Sequence, residues 1–156
     1  MSRFEGDQDL PQPPTDLWPK LTDPNFLVRC VPGIEKVSQL ESNRAVFILR
    51  PGLAFMRGTL EVTMEIAEAV ANQSARFNLL SKGIGSTSDV QATLAFQPHE
   101  KGSRIHWTAE IRQLGGLLKA VPGGLIQAAA RKVINDAWTA VEKQLREPSP
   151  DTAGRS

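Results

Sequence analysis

Apolar and polar residues alternate along most of the first 113 residues. Residues 2–10, "SRFEGDQDL", have a period of two, which predicts a strand with one solvated face. Six further segments between residues 34 and 113 share this period and are separated by turn signals such as Ser42-Asn43 and Pro51-Gly52. Strands joined by short turns pair antiparallel, so the pattern predicts one antiparallel sheet of about seven strands with one apolar face.

The period changes after Gly115-Gly116. Residues 123–147, "GGLIQAAARKVINDAWTAVEKQLRE", place their apolar side chains on one half of a helical wheel and their charged side chains on the other. A helix of this length spans on the order of 30 Å, which is similar to the width of a seven-stranded sheet. We therefore expect the helix to lie across the apolar face of the sheet.

Two short helices are predicted between the first two strands. In "PTDLWPKLTD", Thr15 or Asp16 can cap a helix that must be brief or kinked, because Pro19 fits only in its first turn. In "DPNFLVRCV", Asp23 is the predicted N-cap, and Pro24 at the first helical position loses no hydrogen bond. The elements together predict an α+β fold, with one sheet packed on a long C-terminal helix.

Small side chains lie at the centre of the apolar face of the long helix, at Ala130 and Ala137. One interpretation is that they let the helix and the sheet pack closely around a solid core. The other is that the twisted sheet curves away and leaves an apolar cavity for a lipophilic molecule. The side chains predicted to line such a cavity are Phe47, Phe77, Phe96, Trp107, Ile126, Ala130, Val133 and Ala137.

Two glycine-containing segments have more than one interpretation. In "LSKGIGSTSD", Gly83 and Gly85 indicate a bulge or sharp bend, or a place where another group approaches the backbone closely. In "LGGLLKAVPGGL", the apolar residues Leu117, Leu118 and Val121 could form a lid over a cavity. They could also form a patch that contacts a partner or a membrane, or they could tuck under the start of the long helix.

The residues with reactive side chains give no pattern typical of a catalytic or metal site. Cys30, the only cysteine, lies among apolar residues and is predicted to pack in the core. His99 falls in a turn and His106 on the polar face of its strand. The sequence has no zinc-ligand spacing, nucleophile elbow, phosphate loop or dinucleotide fingerprint. We therefore expect no metal, no cofactor and no enzymatic activity.

An enzyme of the cyclase or hydrolase type remains the alternative, and it would need a polar side chain inside the cavity. Strand parity points Gln8, Ser88 and Gln113 toward the apolar face. None of these side chains titrates near neutral pH, which favours binding over acid–base catalysis.

Composition narrows the classes of partner and location. The 156 residues carry a net charge of +1 with lysine and arginine scattered, so no nucleic-acid partner is predicted. No apolar run approaches the roughly 18 residues that span a bilayer, and the first residues lack the apolar core of a secretion signal. A single cysteine fits a reducing compartment, and we expect a cytoplasmic protein. Residues 1–146 are expected to form one domain, followed by a disordered polar tail at 147–156.

The stretch "FEGDQDLPQPPTDLWPKLTDPNFLVRCVPGIEKV" resembles the opening of the CoxG family of carbon monoxide dehydrogenase accessory proteins, within the START/SRPBCC superfamily. Its most specific element is the Pro32-Gly33 turn with Cys30 before it. The later segments "FMRGTLEV", "KGIGS", "GSRIHWTAEIRQLGG" and "AARKVINDAW" match in order, so the resemblance covers about residues 3–146.

This resemblance implies the helix-grip fold, in which a curved antiparallel sheet wraps a long C-terminal helix around an apolar cavity. It also implies an accessory factor of molybdenum-containing CO dehydrogenases that helps dock the enzyme at the membrane and binds lipophilic molecules such as quinones. The expected partners are therefore a lipophilic small molecule, molybdenum hydroxylase subunits and, optionally, the membrane periphery. Because the same scaffold hosts carriers, cyclases and hydrolases, an enzyme or a protein-binding adaptor using Leu117, Leu118 and Val121 stays open.

Overall fold

The computed structural model describes residues 2–53 and 56–146. The predicted tail at 147–156 lies outside the described residues. The elements in chain order are β1 (Arg3–Leu10), α1 (Pro14–Leu21), α2 (Pro24–Val28), β2 (Ile34–Leu40), β3 (Arg44–Leu49), β4 (Leu60–Val70), β5 (Ser74–Gly83), β6 (Ser86–His99), β7 (Gly102–Gly116), a 3-10 turn (Leu117–Ala120) and α3 (Gly123–Arg146).

The strands form one curved antiparallel sheet in the order β1-β7-β6-β5-β4-β3-β2. Each strand from β2 to β7 pairs with its neighbour in sequence, while β1 joins the sheet beside the last strand. The predicted alternation is visible in β4, where Leu60, Val62 and Met64 are buried and Glu65 is exposed. The α+β helix-grip fold and its seven strands are therefore confirmed.

Helix α3 crosses the apolar face of the sheet. Its two fully buried side chains, Ile126 and Val141, lie toward opposite ends of the helix. Ile126 is 9% exposed and belongs to one hydrophobic cluster, with Phe47 and Met64 of the sheet. Val141 is 7% exposed and belongs to a second cluster, with Leu17 of α1. The helix is thus fixed to the body of the protein at two separate points.

Helix α1 begins earlier than the sequence predicts. Its first residue is Pro14, after the extended Pro13, and no side chain caps it, so the predicted cap at Thr15 or Asp16 is wrong. Pro19 lies in the second turn, not the first. The helix has only eight residues, so the predicted brief helix is confirmed.

Helix α2 begins as predicted. The Asp23 carboxylate accepts a hydrogen bond from the backbone N–H of Asn25 at 2.9 Å, and Pro24 occupies the first helical position. The two short helices pack their buried residues into the second cluster, at one end of the sheet.

A β-bulge near the end of β7 changes which side chains face the helix. Asp89 pairs with Gln113 while the next residue of β6, Val90, pairs with Ile111, so β7 carries one extra residue. The extra residue reverses the alternation beyond it, and Leu114 points toward the core. The prediction that Gln113 faces inward is therefore wrong, and its side chain is exposed.

The Gly83–Gly85 segment is both a tight turn and a close approach. Strands β5 and β6 are joined by Ile84-Gly85, with φ of 55° and 66°. A Cβ added at Gly83 would lie 2.6 Å from the carbonyl oxygen of Thr59, so only glycine lets the hairpin cross the start of β4. The predicted sharp bend is confirmed, and so is the close approach.

Candidate ligand-binding cavity

Two apolar cavities lie between α3 and the sheet, each of about 220 Å³. We name the cavity beneath residues 126–134 of α3 the N-terminal compartment. The cavity beneath residues 134–141 is the C-terminal compartment. Both are lined almost wholly by apolar side chains, and both lie between the two points where the helix is buried.

The N-terminal compartment is enclosed by the helix, the sheet and two loops. Strands β6 and β7 supply its floor with Val90 and Ala109, and Phe4 of β1 closes one side. The loop between β3 and β4 contributes Met56, and the 3-10 turn contributes Leu118. Val133 lines the compartment and is still 53% exposed, so the compartment reaches the surface beside the helix.

The C-terminal compartment is lined by larger side chains. Phe77 of β5 and Trp107 of β7 face Ala137 and Trp138 of α3, and Leu21 of α1 closes the end. The small Ala137 leaves room between these rings, which agrees with the second of the two interpretations of the helix pattern. The indole of Trp107 also lies against Gly6 of β1, where an added Cβ would come within 2.9 Å of the ring.

The two compartments meet at Ala109 and Ile134, which line both. Drug-sized ligand sites usually measure roughly 300–1,000 Å³, so neither compartment alone reaches that range. Because they share a wall, an elongated ligand that occupied both would pass between these two side chains.

Six of the eight side chains predicted to line a cavity lie in these compartments. The N-terminal compartment includes Ile126, Ala130 and Val133, and the C-terminal compartment includes Phe77, Trp107 and Ala137. Phe47 lies in neither and is buried at 1% exposure in the first cluster. Phe96 also lies in neither compartment, because it packs in the second cluster.

Several lining residues come from loops, where the periodic pattern gives no direction. Leu53 and Met56 lie in the apolar stretch "PGLAFMRG" between β3 and β4. Leu118 and Val121 pack against the first cluster, while Leu117 is 62% exposed. The interpretation that this segment tucks under the helix therefore holds for two residues. A contact patch made of all three is wrong.

Few polar side chains face the helix. The hydroxyl of Ser88 lines the N-terminal compartment and is hydrogen-bonded to the hydroxyl of Ser81 on the next strand. The Gln8 amide donates a hydrogen bond to the carboxylate of Glu142, which lies beyond both compartments. Parity therefore places Ser88 correctly, while the glutamine is already occupied by a partner from the helix.

The histidines lie on the opposite, polar face of the sheet or at its end. The His106 imidazole is 2.9 Å from Asp7 and 3.4 Å from Glu5, both on β1. The hydrogen bond to Asp7 is the main cause that raises the pKa of His106. His99 lies 3.8 Å from Asp9 at the β6–β7 turn. Within the described ranges, no group of three His, Cys, Asp or Glu side chains could hold a metal ion.

Cys30 packs in the second cluster, as predicted. It is 4% exposed, and its thiol lies 3.5 Å from the Phe26 carbonyl oxygen, to which it can donate. Burial raises the pKa of the Cys30 thiol to about 11, so it stays protonated near neutral pH and is a poor nucleophile.

In the part of the chain that the structure describes, no helix is both long and apolar enough to cross a bilayer.

Solved structures share the fold at low sequence identity. A conserved protein from Geobacillus kaustophilus has a TM-score of 0.82 and 17% identity, over 92% of this chain and 94% of that one. A protein from Rhizobium loti has a TM-score of 0.67 and 17% identity, over 92% and 96% of the two chains. One from Thermus thermophilus has a TM-score of 0.63 and 14% identity, with the same coverage.

These identities establish the fold alone. No curated protein matches the sequence. A sequence profile of the carbon monoxide dehydrogenase G subunit (CoxG) family matches residues 6–146, which is nearly the whole described chain. The profile match includes both short helices and every residue that lines the compartments except Phe4, and the chain belongs to the CoxG family.

Proposed function

We propose that the protein is a non-catalytic binding protein that holds a lipophilic small molecule, a lipid or a quinone-like compound, between α3 and the sheet. The observation that carries this proposal is the position of α3. The side chains of the helix are fully buried at Ile126 and Val141 and are at most partly buried between them, where the two compartments lie.

The chemistry of the lining supports an apolar ligand. Burying apolar surface contributes roughly 25 cal/mol per Å², and a ligand in these compartments would cover side chains such as Val133 that the fold leaves exposed. The one polar side chain lining the N-terminal compartment, Ser88, could donate a hydrogen bond to a carbonyl oxygen of the ligand. A molecule with an apolar body and few polar atoms fits these walls.

The family supports a role beside an oxidoreductase. Membership in the CoxG family, whose profile is named for a component of carbon monoxide dehydrogenase, favours an accessory factor of a molybdenum-containing enzyme of that type.

We propose that the protein lies in the cytoplasm. A peripheral membrane contact is supported by Leu117 and Leu125, which are exposed beside Lys119 at one end of the helix.

An enzyme of the cyclase or hydrolase type is the second candidate, and the lining gives it less support. Neither compartment is lined by a His, Asp, Glu, Lys or Cys side chain among the described residues. Acid–base catalysis needs such a group within hydrogen-bond reach of the substrate. Glu142 follows Val141 of the C-terminal lining in the chain, and its carboxylate accepts a hydrogen bond from Gln8.

Native mass spectrometry of freshly purified protein tests the proposal. We expect a mass adduct that survives gentle desolvation and is removed by organic extraction, and tandem analysis should identify it as lipophilic. Extracted protein should then regain an adduct when it is incubated with membrane lipid extract. Repeated adduct-free spectra before and after that incubation would contradict the proposal.

A further inference from the structure

We propose that the N-terminal compartment prefers amphiphiles with an anionic head group, and that Arg131 is the residue that binds that head. The inference rests on the proposed function and narrows its ligand to a molecule with an apolar chain and a carboxylate or phosphate end. It concerns a side chain that lies outside both apolar linings.

Arg131 is placed beside the compartment by α3 and by β1. Its guanidinium carbon lies 5.3 Å from the centre of the Phe4 ring, over the face of that ring. Phe4 is buried and lines the compartment, as do Ala130 and Ile134 on either side of Arg131 along the helix. Arg131 itself is exposed, so its guanidinium reaches solvent at the Phe4 wall of the compartment.

Among the described residues, no acidic side chain forms an ion pair with Arg131. Arg131 has no carboxylate within 4.0 Å in residues 2–53 and 56–146. Its helical neighbours at three and four residues are all neutral: Gln127, Ala128, Ile134 and Asn135. The next residue differs, because Lys132 is paired with Asp136 at 2.7 Å.

The contact with Phe4 leaves the guanidinium able to bind an anion. A guanidinium carries five N–H donors in a planar fork, and its position over the Phe4 ring leaves most of them available to an acceptor. Such a fork matches the two oxygens of a carboxylate or phosphate. An amphiphile must keep its charged head at the water boundary because burying an unpaired charge is costly. Its chain would then fill the compartment while its head reaches Arg131.

Isothermal titration calorimetry with ten-carbon ligands, below their micelle concentrations, tests this inference. Decanoate and decyl phosphate carry the anionic head, and decanol is the neutral control. We expect one or both anions to bind about tenfold more tightly than decanol, because charge-assisted hydrogen bonds are stronger than those between neutral groups. Comparison of the two anions shows which head group is preferred. The preference should shrink at high salt.

Arg131→Gln should reduce the affinity for the anions to that for decanol and leave decanol binding unchanged. Lys132→Gln is the matched control on the same helix and should change neither. Equal binding of all three ligands by the unaltered protein, or a preference that survives Arg131→Gln, would overturn the inference while the lipophilic site stands. Failure of all three ligands to bind would overturn the proposed function as well.

Discussion

Ile126 and Val141 lie about four turns apart on α3, and each is buried in a different hydrophobic cluster. Between them Val133, also an apolar residue of this helix, remains 53% exposed. An amphipathic helix packed on a solid core would bury its whole apolar stripe. The helix instead only partly buries Ala130, Ile134 and Trp138 between those two residues, and the space beside these side chains is the candidate site.

The same valine-to-alanine substitution at two positions of α3 measures how unevenly the helix is buried. Val141→Ala should lower the free energy of unfolding by about 2 kcal/mol, because it leaves a hole in the second cluster. Val133→Ala should lower it by less than about 0.5 kcal/mol, because the side chain is half-exposed. Both changes alter helix propensity equally, so the difference reports burial. Equal losses in urea unfolding would show that the helix packs uniformly.

Ala137→Phe should fill the C-terminal compartment between Phe77 and Trp107. We expect the adduct in native mass spectra to be lost or weakened at least about tenfold, while stability changes by less than about 1.5 kcal/mol because the ring enters existing space. Asn135→Phe, exposed on the same helix, adds the same ring outside the cavity and should retain the adduct. Retention by both variants would place the ligand elsewhere.

The charge cluster on the outer face predicts a pH dependence. Asp7 raises the pKa of His106, so the folded state binds this proton more tightly than the unfolded chain. The resulting stabilisation is complete below the pKa of an unfolded histidine and is lost as the pH rises through the folded pKa. NMR titration of His106 should show a raised pKa that falls toward the ordinary value in Asp7→Asn.

Urea unfolding between pH 5 and 9 gives the matching stability measurement. The fall in the free energy of unfolding over this range should be smaller in Asp7→Asn and in His106→Gln than in the unaltered protein. An unchanged fall in both variants would assign the dependence to other groups.

Alanine substitutions at Gly83 and Gly52 distinguish the effect of a close contact on stability from the effect of backbone conformation alone. Both have positive φ, but an added Cβ at Gly83 lies 2.6 Å from the Thr59 oxygen, whereas at Gly52 it meets nothing within 4 Å. Gly52→Ala should cost about 1 kcal/mol, from its conformation. Gly83→Ala should cost about 2–4 kcal/mol, because the backbone clash adds to that strain. Similar thermal stability of the two variants would contradict the close approach of β5 and β4.

The spacing of apolar residues and the residues typical of turns are enough to predict the strands and helices of this fold, because most of these elements have one solvent-exposed face and one buried face. They also place Ala130 and Ala137 on the helix face that lines the compartments, but they leave open whether that space is a solid core or a cavity. They do not place Phe47 and Phe96, since strand parity gives the face of a residue but not how far along the strand the helix crosses it.

Local irregularities account for the other misplacements. The bulge in β7 reverses parity before Gln113, and an added strand residue leaves no mark in the sequence. Loop residues such as Leu53 have no period to follow. The position of Arg131 over Phe4 depends on β1 joining the far end of the strand order, which is a tertiary fact.

That pairing of β1 with β7 has a consequence for how the chain is made. Arg3 is matched with Glu110, so β1 can pair only after the chain has been made as far as β7. Pairings so distant in sequence slow the folding of sheet proteins. Until β1 has paired, β7 has a bare edge and the cavity lacks the wall that Phe4 supplies, so the candidate site depends on this long-range pairing.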